Sequence, residues 1–160
     1  MTAGTEVWRF DPATLRDVAV DQPALAGRLP GSPALERVWI LRLLGRLDEA
    51  AREGEELLAS ASNRFRPLLV LAEVYHWQYR WHEAASLQEE ALRRARTLSR
   101  EAMVRERIGR RLFDEGRHRS AAAEFEWARG LYRAAGTPEA RTRVCEQSLM
   151  RARELDAPRL

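Results

Sequence analysis

Three histidines and one cysteine are the residues of this chain that could carry acid–base, nucleophilic or metal chemistry. His76 and His82 are six residues apart, which places them on opposite sides of a helix rather than at the i, i+4 spacing of a helical metal site. His82 and His118 occupy equivalent positions of an internal repeat, at two predicted turns. Packing therefore explains these histidines better than catalysis or metal binding.

Cys145 is the single cysteine, so it cannot form an internal disulfide or build a cysteine-based zinc site. Arg141 and Arg143 are close in sequence and could activate the thiol, but a partly buried, inert thiol is the expected state. The sequence contains no glycine-rich phosphate loop and no nucleophile motif. It therefore predicts a non-enzymatic protein with no catalytic residue, no metal site and no cofactor.

Length and composition predict one soluble domain with a sizeable core, since 160 residues are 45% hydrophobic and 32% charged. No run approaches the roughly 18 apolar residues of a membrane helix, and the first residues lack a secretory-signal pattern. A cytoplasmic location without membrane contact is the resulting expectation. All 27 basic residues are arginine, which indicates a bacterial coding bias toward GC more than selection for phosphate binding.

The charge is unevenly distributed along the chain. Residues 1–92 carry a net charge of −4, and residues 93–160 carry +7. Such asymmetry is compatible with an acidic ligand on one side, with head-to-tail self-association, or with solvated helix faces, of which the last is the commonest.

Apolar residues at helical spacing and sparse strand signals predict an all-α chain. Caps are predicted at Asp11-Pro12, Ser32-Pro33 and Thr137-Pro138, and helix ends at Gly45, Gly116 and Gly136. The predicted helices span residues 33–44, 47–61, 65–79, 81–97, 100–114, 117–135 and 138–155. Residues 1–31 are predicted to be an N-terminal extension, with one or two short helices packing on the first repeat after an extended tip that carries Val7, Trp8 and Phe10.

Three segments of the chain align with one another: GRLDEAAREGEELL, YRWHEAASLQEEAL and GRHRSAAAEFEWAR. Each segment has a small residue at the same place, namely Ala50, Ala84 and Ala121. The spacing of these residues is close to the helix-turn-helix period of about 34 residues that is typical of the tetratricopeptide repeat, and residues 33–155 resemble that family. The resemblance implies an all-α solenoid of about three helix pairs within residues 32–160, closed by a C-terminal capping helix.

Two residues depart from the family pattern in the first repeat. Val38 stands where the family has a small residue, and Gly54 stands where it has a large one. In addition, no repeat ends in the usual proline.

The resemblance also implies a function, which is to bind a protein or peptide in a concave groove lined by the first helix of each pair. The predicted groove residues are Trp39, Arg42, Glu73, His76, Trp77, Arg107 and Arg110. Tryptophans beside arginines suit an acidic peptide, because the rings supply rigid contact area and arginine pairs with carboxylates. The alternative is that the tryptophans pack against each other or against residues 1–31, which would leave no open groove.

One known binding mode of the family is disfavoured. Its clamp for a C-terminal carboxylate uses lysines and asparagines, whereas this chain has Leu35, Trp39, Val70, Met103 and Arg107 at the corresponding positions. Only Arg107 fits that pattern.

Two further interactions are predicted as alternatives. The segment 93–111 holds eight arginines, so nucleic-acid backbone binding is the alternative function, although Glu101 and Glu106 compensate part of the charge. Trp127 and Leu131 lie on a second apolar stripe of helix 117–135 and are candidate contacts of a homodimer. The superhelix itself could equally cover that stripe.

Overall fold

Seven long helices follow a short N-terminal segment in the computed structural model, which describes residues 6–158. Residues 1–5 of the predicted N-terminal extension and residues 159–160 of the predicted repeat region lie outside the described residues. The elements are β1 Trp8–Asp11, β2 Arg16–Ala19, α1 Gln22–Arg28, a 3₁₀ turn Leu29–Gly31, α2 Ala34–Leu43, α3 Leu47–Ser60, α4 Phe65–Trp77, α5 Trp81–Arg94, α6 Leu98–Asp114, α7 His118–Ala134 and α8 Glu139–Asp156.

The predicted all-α solenoid is confirmed. Helices α2 with α3, α4 with α5, and α6 with α7 form three consecutive pairs, and α8 packs on α7. Most predicted helix bounds lie within a few residues of the observed ones. The start of α6 differs because the Thr97 hydroxyl accepts a hydrogen bond from the Arg100 backbone N–H at 3.1 Å, which begins the helix at Leu98 instead of residue 100.

Close contacts inside the pairs explain the unusual first repeat. In the third pair, a Cβ on Gly109 of α6 would lie 2.6 Å from the Phe125 ring of α7, so only glycine allows this approach. In the first pair the sizes are exchanged: a Cβ on Gly54 of α3 would lie 3.5 Å from Val38 of α2, and it would also lie 2.9 Å from Leu71 of α4 in the next pair. A small residue therefore faces a large one in both pairs, but from opposite helices.

The buried apolar residues form two adjoining clusters along the solenoid. One cluster is centred on α1 to α5 and includes Leu25, Ile40 and Val74. The other runs from α4 to α8 and includes Phe125 and Leu149. Each repeat is thus enclosed by its neighbours, as the stacking of repeats requires.

The N-terminal extension differs from its prediction, because the expected extended tip is one strand of a β-hairpin. Strands β1 and β2 pair antiparallel, with Trp8 opposite Ala19 and Phe10 opposite Asp17. The predicted helix cap at Asp11 is wrong: its carboxylate accepts a hydrogen bond from the Ala13 backbone N–H at 2.9 Å within the hairpin turn. An Asp-Pro pair is compatible with a turn as well as with a helix start. Each strand has only four residues, which is too short for an alternation of apolar and polar side chains to be recognised in the sequence.

The hairpin turn reaches the far end of the molecule. Leu15 is buried with a left-handed φ of 60°, and it belongs to the same cluster as Cys145 and Leu149 of the last helix, α8. Arg151 of α8 donates a hydrogen bond from Nε to the Ala13 carbonyl at 3.0 Å. The extension therefore packs on more than the first repeat.

Candidate functional site

The first helices of the three pairs, α2, α4 and α6, lie side by side and carry the predicted groove residues. We call the surface that they share the inner face. The β-hairpin lies over one part of this surface, near the C-terminal ends of the three helices, and we call that part the covered half. The part near their N-terminal ends is the open half.

Arg42 of α2 is the centre of the covered half. Its guanidinium Nη2 lies 3.0 Å from Asp17 of β2 and 3.2 Å from Glu73 of α4, and the side chain of Arg107 on α6 pairs with Glu73. Arg42 and Glu73 are only 1% and 4% exposed. One strand of the hairpin and the first helices of all three pairs thus share one buried ion network.

A second polar cluster lies at the ends of α4 and α6. Asp114 accepts hydrogen bonds from Arg16 of β2 at 3.0 Å and from His76 Nε2 at 2.6 Å. The Trp77 ring lies beneath the guanidinium groups of Arg16 and Arg42, at 5.1 and 4.4 Å from the ring centroid. His76 is 4% exposed. Because His76 binds Asp114 and Trp77 contacts Arg16, both residues support the hairpin.

Burial and nearby charges shift the pKa values of these groups. Burial raises the pKa of Asp17, but the positive charges of Arg110 and Arg42 outweigh it and hold the pKa below its ordinary value. Burial likewise acts against ionisation of Asp114, whose pKa is nevertheless lowered by His76 and Arg16. Burial lowers the pKa of His76 and, together with the charges of Arg16 and Arg42, outweighs the hydrogen bond and charge of Asp114, which raise it. A neutral His76 that donates a hydrogen bond to an ionised Asp114 agrees with the lowered pKa values of both groups.

The hairpin also makes aromatic contacts along its first strand. The Trp8 and Trp39 rings meet edge to face, with centroids 5.2 Å apart and planes at 84°. The guanidinium of Arg110 lies 5.0 Å from the Phe10 ring and 3.9 Å from the Asp17 carboxylate. The strand is thereby fixed to α2 and α6.

The open half contains an apolar cavity of about 250 Å³. It is lined by Leu35, Glu36, Trp39, Arg66, Leu69, Val70, Met103 and Arg107. Leu35 and Leu69 occupy the same repeat position on α2 and α4, and Met103 lies on α6 about one turn before the equivalent residue, Glu106. The first helices of all three pairs therefore contribute to the cavity floor, and charged side chains surround it.

The seven predicted groove residues divide between the two halves. Arg42, Glu73 and His76 are buried, and a ligand could reach them only by displacing the hairpin. Trp77 and Arg110 contact the hairpin directly, whereas Trp39 and Arg107 line the open cavity.

Three residues that contact the inner face or line its cavity were not predicted from the sequence. Asp17 and Arg16 were not recognised, because they lie in a segment predicted to be an extended tip and short helices. Arg66 of the cavity rim was also missed, although it precedes Leu69 by three residues, about one helical turn, on the same helix.

The arginine-rich segment 93–111 does not form a single exposed basic stripe. Arg105 pairs with Glu124 at 3.3 Å, Arg107 pairs with Glu73, and Arg111 pairs with Glu115 at 2.6 Å. These three arginines form ion pairs inside the chain, so the arrangement of the segment does not support nucleic-acid binding.

The candidate dimer residues have different surroundings. Trp127 is 51% exposed, and the guanidinium of Arg105 lies 3.6 Å from its ring centroid. Leu131 packs against the internal cluster of α4 to α8. The homodimer contact stays a prediction.

Cys145 is fully buried and donates a hydrogen bond from Sγ to the Phe125 carbonyl at 3.4 Å. Burial, together with the carboxylates of Glu106 and Glu146, raises the pKa of its thiol to about 12. The thiol is therefore protonated near neutral pH and is a poor nucleophile. Within the described residues, acidic, histidine and cysteine side chains form no group of three that could hold a metal ion.

Every helix between residues 6 and 158 is too short or too polar to span a membrane. No protein-family model and no curated protein sequence matches this chain. Among solved structures, it is similar to a chain titled "MamA MSR-1 C2", with 20% sequence identity, 85% coverage of each chain and a TM-score of 0.49. A likeness at this level adds no argument about function, and the fold assignment rests on the helix pairs described above.

Proposed function

We propose that this chain is a non-enzymatic interaction scaffold that binds a partner protein or peptide in the open half of its inner face. The cavity that Leu35, Leu69 and Met103 form across three successive first helices carries the proposal. When a partner's side chain fills an exposed apolar hollow, apolar surface is removed from water, and this burial stabilises the complex.

The size and surroundings of the cavity favour a side chain over a cofactor. Pockets for small molecules are commonly about 300–1,000 Å³, and this cavity is about 250 Å³. It contains neither a histidine nor a cysteine, and His76 and Cys145 are buried elsewhere. Its arginines, Arg66 and Arg107, favour an acidic partner segment.

A retention experiment with a matched pair of variants tests this function. The wild-type chain, Met103→Glu and Leu98→Glu are used to retain proteins from an extract of the native host, and retained proteins are identified by mass spectrometry. Met103 lines the cavity, whereas Leu98 is exposed on the same helix outside it. The affinity of the purified partner should fall by about 2 kcal/mol or more for Met103→Glu and stay unchanged for Leu98→Glu.

The fold of both variants is checked by circular dichroism and thermal unfolding before binding is measured. A partner that binds wild type and Met103→Glu equally would contradict the proposed site. Retention that disappears on nuclease treatment and falls steeply with salt would instead favour the nucleic-acid alternative.

A further inference from the structure

Strand β1 has one edge that β2 does not use. Val20 donates a backbone hydrogen bond to the Val7 carbonyl at 2.9 Å, which makes Val7 and Val20 a hydrogen-bonded pair. Hydrogen-bonded and non-hydrogen-bonded pairs alternate in an antiparallel ladder, so the backbone groups of Trp8 and Phe10 point away from β2. Among the described residues, none bonds to these outward N–H and C=O groups.

This free edge borders the open cavity. Trp8 of β1 contacts Trp39, which lines the cavity, whereas Asp17 of β2 contacts Arg42 about one turn further along α2. The same order holds on α6, where β2 reaches Asp114 through Arg16. Strand β1 therefore lies on the cavity side of the hairpin, and β2 lies on the side away from it.

We propose that the partner segment binds in an extended conformation as a third strand on β1, with one apolar side chain in the cavity and a carboxylate on Arg66 or Arg107. This inference rests on the proposed function and specifies its binding mode. Strand addition of this kind takes its affinity from main-chain hydrogen bonds and its specificity from pockets for alternate side chains.

The backbone geometry suits such an addition. Trp8 and Phe10 each offer one N–H and one C=O, two residues apart, so an added strand can form up to about four hydrogen bonds with them. An added strand lies about 4.7–4.9 Å from β1, and every second side chain points toward the helices. The contacts of Trp8 with Trp39 and of Phe10 with Arg110 hold the edge in place before binding.

Charge complementarity identifies the partner segment as acidic. The guanidinium of Arg66 makes no ion pair with any described residue, whereas Arg107 shares the buried Glu73. Arg66 is exposed at the cavity rim, so it can pair with an incoming carboxylate without losing an existing partner. Glu36 also lines the cavity and disfavours a second acidic residue beside it.

A peptide experiment tests strand addition separately from pocket binding. Short peptides are selected from a random displayed library on the full chain, and those that lose binding to Met103→Glu are retained. Each backbone N–H of a retained peptide is then methylated in turn, which removes a donor without changing the side chain. Affinity should fall at least about tenfold at alternate positions and change little at the positions between them.

A charge cycle tests the acidic contact. In the retained peptide, the acidic residue near the apolar anchor is changed to its amide, and in the protein Arg66→Glu is compared with Arg93→Glu, an exposed arginine of α5 outside the inner face. Arg66→Glu should weaken the acidic peptide at least about tenfold more than the amide peptide, whereas Arg93→Glu should not distinguish them.

The outcomes separate the two proposals. Met103-dependent peptides whose methylation pattern repeats every three to four residues, or shows no periodicity, overturn strand addition and leave the proposed function standing. If the library yields no Met103-dependent peptide, both proposals fail. A concentration-dependent dimer in light scattering that Met103→Glu abolishes would replace the external partner with a second copy of this chain.

Discussion

The covered and open halves of the inner face belong to the same three helices but use opposite physical chemistry. In the covered half, Arg42, Glu73 and Asp17 form a buried ion network under the hairpin. In the open half, Leu35, Leu69 and Met103 form an apolar floor that nothing among the described residues fills. Charged residues of a groove can thus be structural, while apolar residues one or two turns away remain available for a partner.

Removing Arg42 should have the largest effect, because it breaks the covered half at its centre. Arg42→Ala leaves the buried Glu73 and Asp17 without a shared counter-charge, and we expect a loss of about 3–5 kcal/mol in the free energy of unfolding. Urea denaturation followed by circular dichroism measures it.

The matched control is Arg9→Ala, on the exposed outer face of the hairpin, where a change within about 0.5 kcal/mol is expected. A loss below about 1 kcal/mol for Arg42→Ala would mean that the hairpin is not fastened through this network.

Removing Trp8 tests whether the two halves are coupled, because this ring of the hairpin supports Trp39 in the wall of the open cavity. Trp8→Ala should cost about 0.5–1.5 kcal/mol of stability for the aromatic pair and should also weaken a cavity-bound peptide. Denaturation and isothermal titration with the same peptide measure the two effects. Val18→Ala, on the exposed face of β2, should change neither. A variant that loses stability but binds the peptide normally would show that the halves act independently.

Lowering the pH should weaken the covered half, and this is the smallest expected effect. The folded pKa of His76 lies below its ordinary value, so between the unfolded value of about 6.5 and the folded value the unfolded chain binds more protons. Stability therefore falls as the pH drops through this window. The lowered pKa values of Asp17 and Asp114 add a further loss below about pH 3.9.

His76→Gln isolates the first part of this pH dependence, because glutamine can still donate to Asp114 but does not titrate. Its unfolding free energy should change less than that of wild type between about pH 7 and pH 5, as measured by urea denaturation. His118→Gln, at the start of α7, is the control and should keep the wild-type dependence. Identical dependence in wild type and His76→Gln would show that His76 is not held neutral by burial.

Much of the solenoid could be predicted from the sequence because its determinants are local and periodic. The repeat interval and the glycines at helix ends set the helix pairs; for example, Gly116 adopts a left-handed φ of 81°. The second repeat shows the limit of this prediction, since Tyr79 takes the equivalent conformation with φ of 61°. A left-handed helix end is therefore formed here without the glycine that such ends favour.

The candidate site was predictable only in part. Trp39 and Arg107 were found from their repeat positions, and they do line the open cavity. The burial of Arg42 and His76 was not predictable, because it depends on Asp17 and Arg16, which belong to the N-terminal hairpin and are distant from both in the chain.

By itself, the sequence determined the helices, their pairing and the repeated apolar positions, since these follow from side-chain periodicity and from contacts between neighbours along the chain. The tertiary structure decided which half of the inner face is closed. A hairpin turn fixed by Asp11 folds back across three repeats and buries Arg42 against Asp17. Such an arrangement depends on long-range complementarity of charge and shape, and no local pattern of residues encodes the distance over which the hairpin must reach.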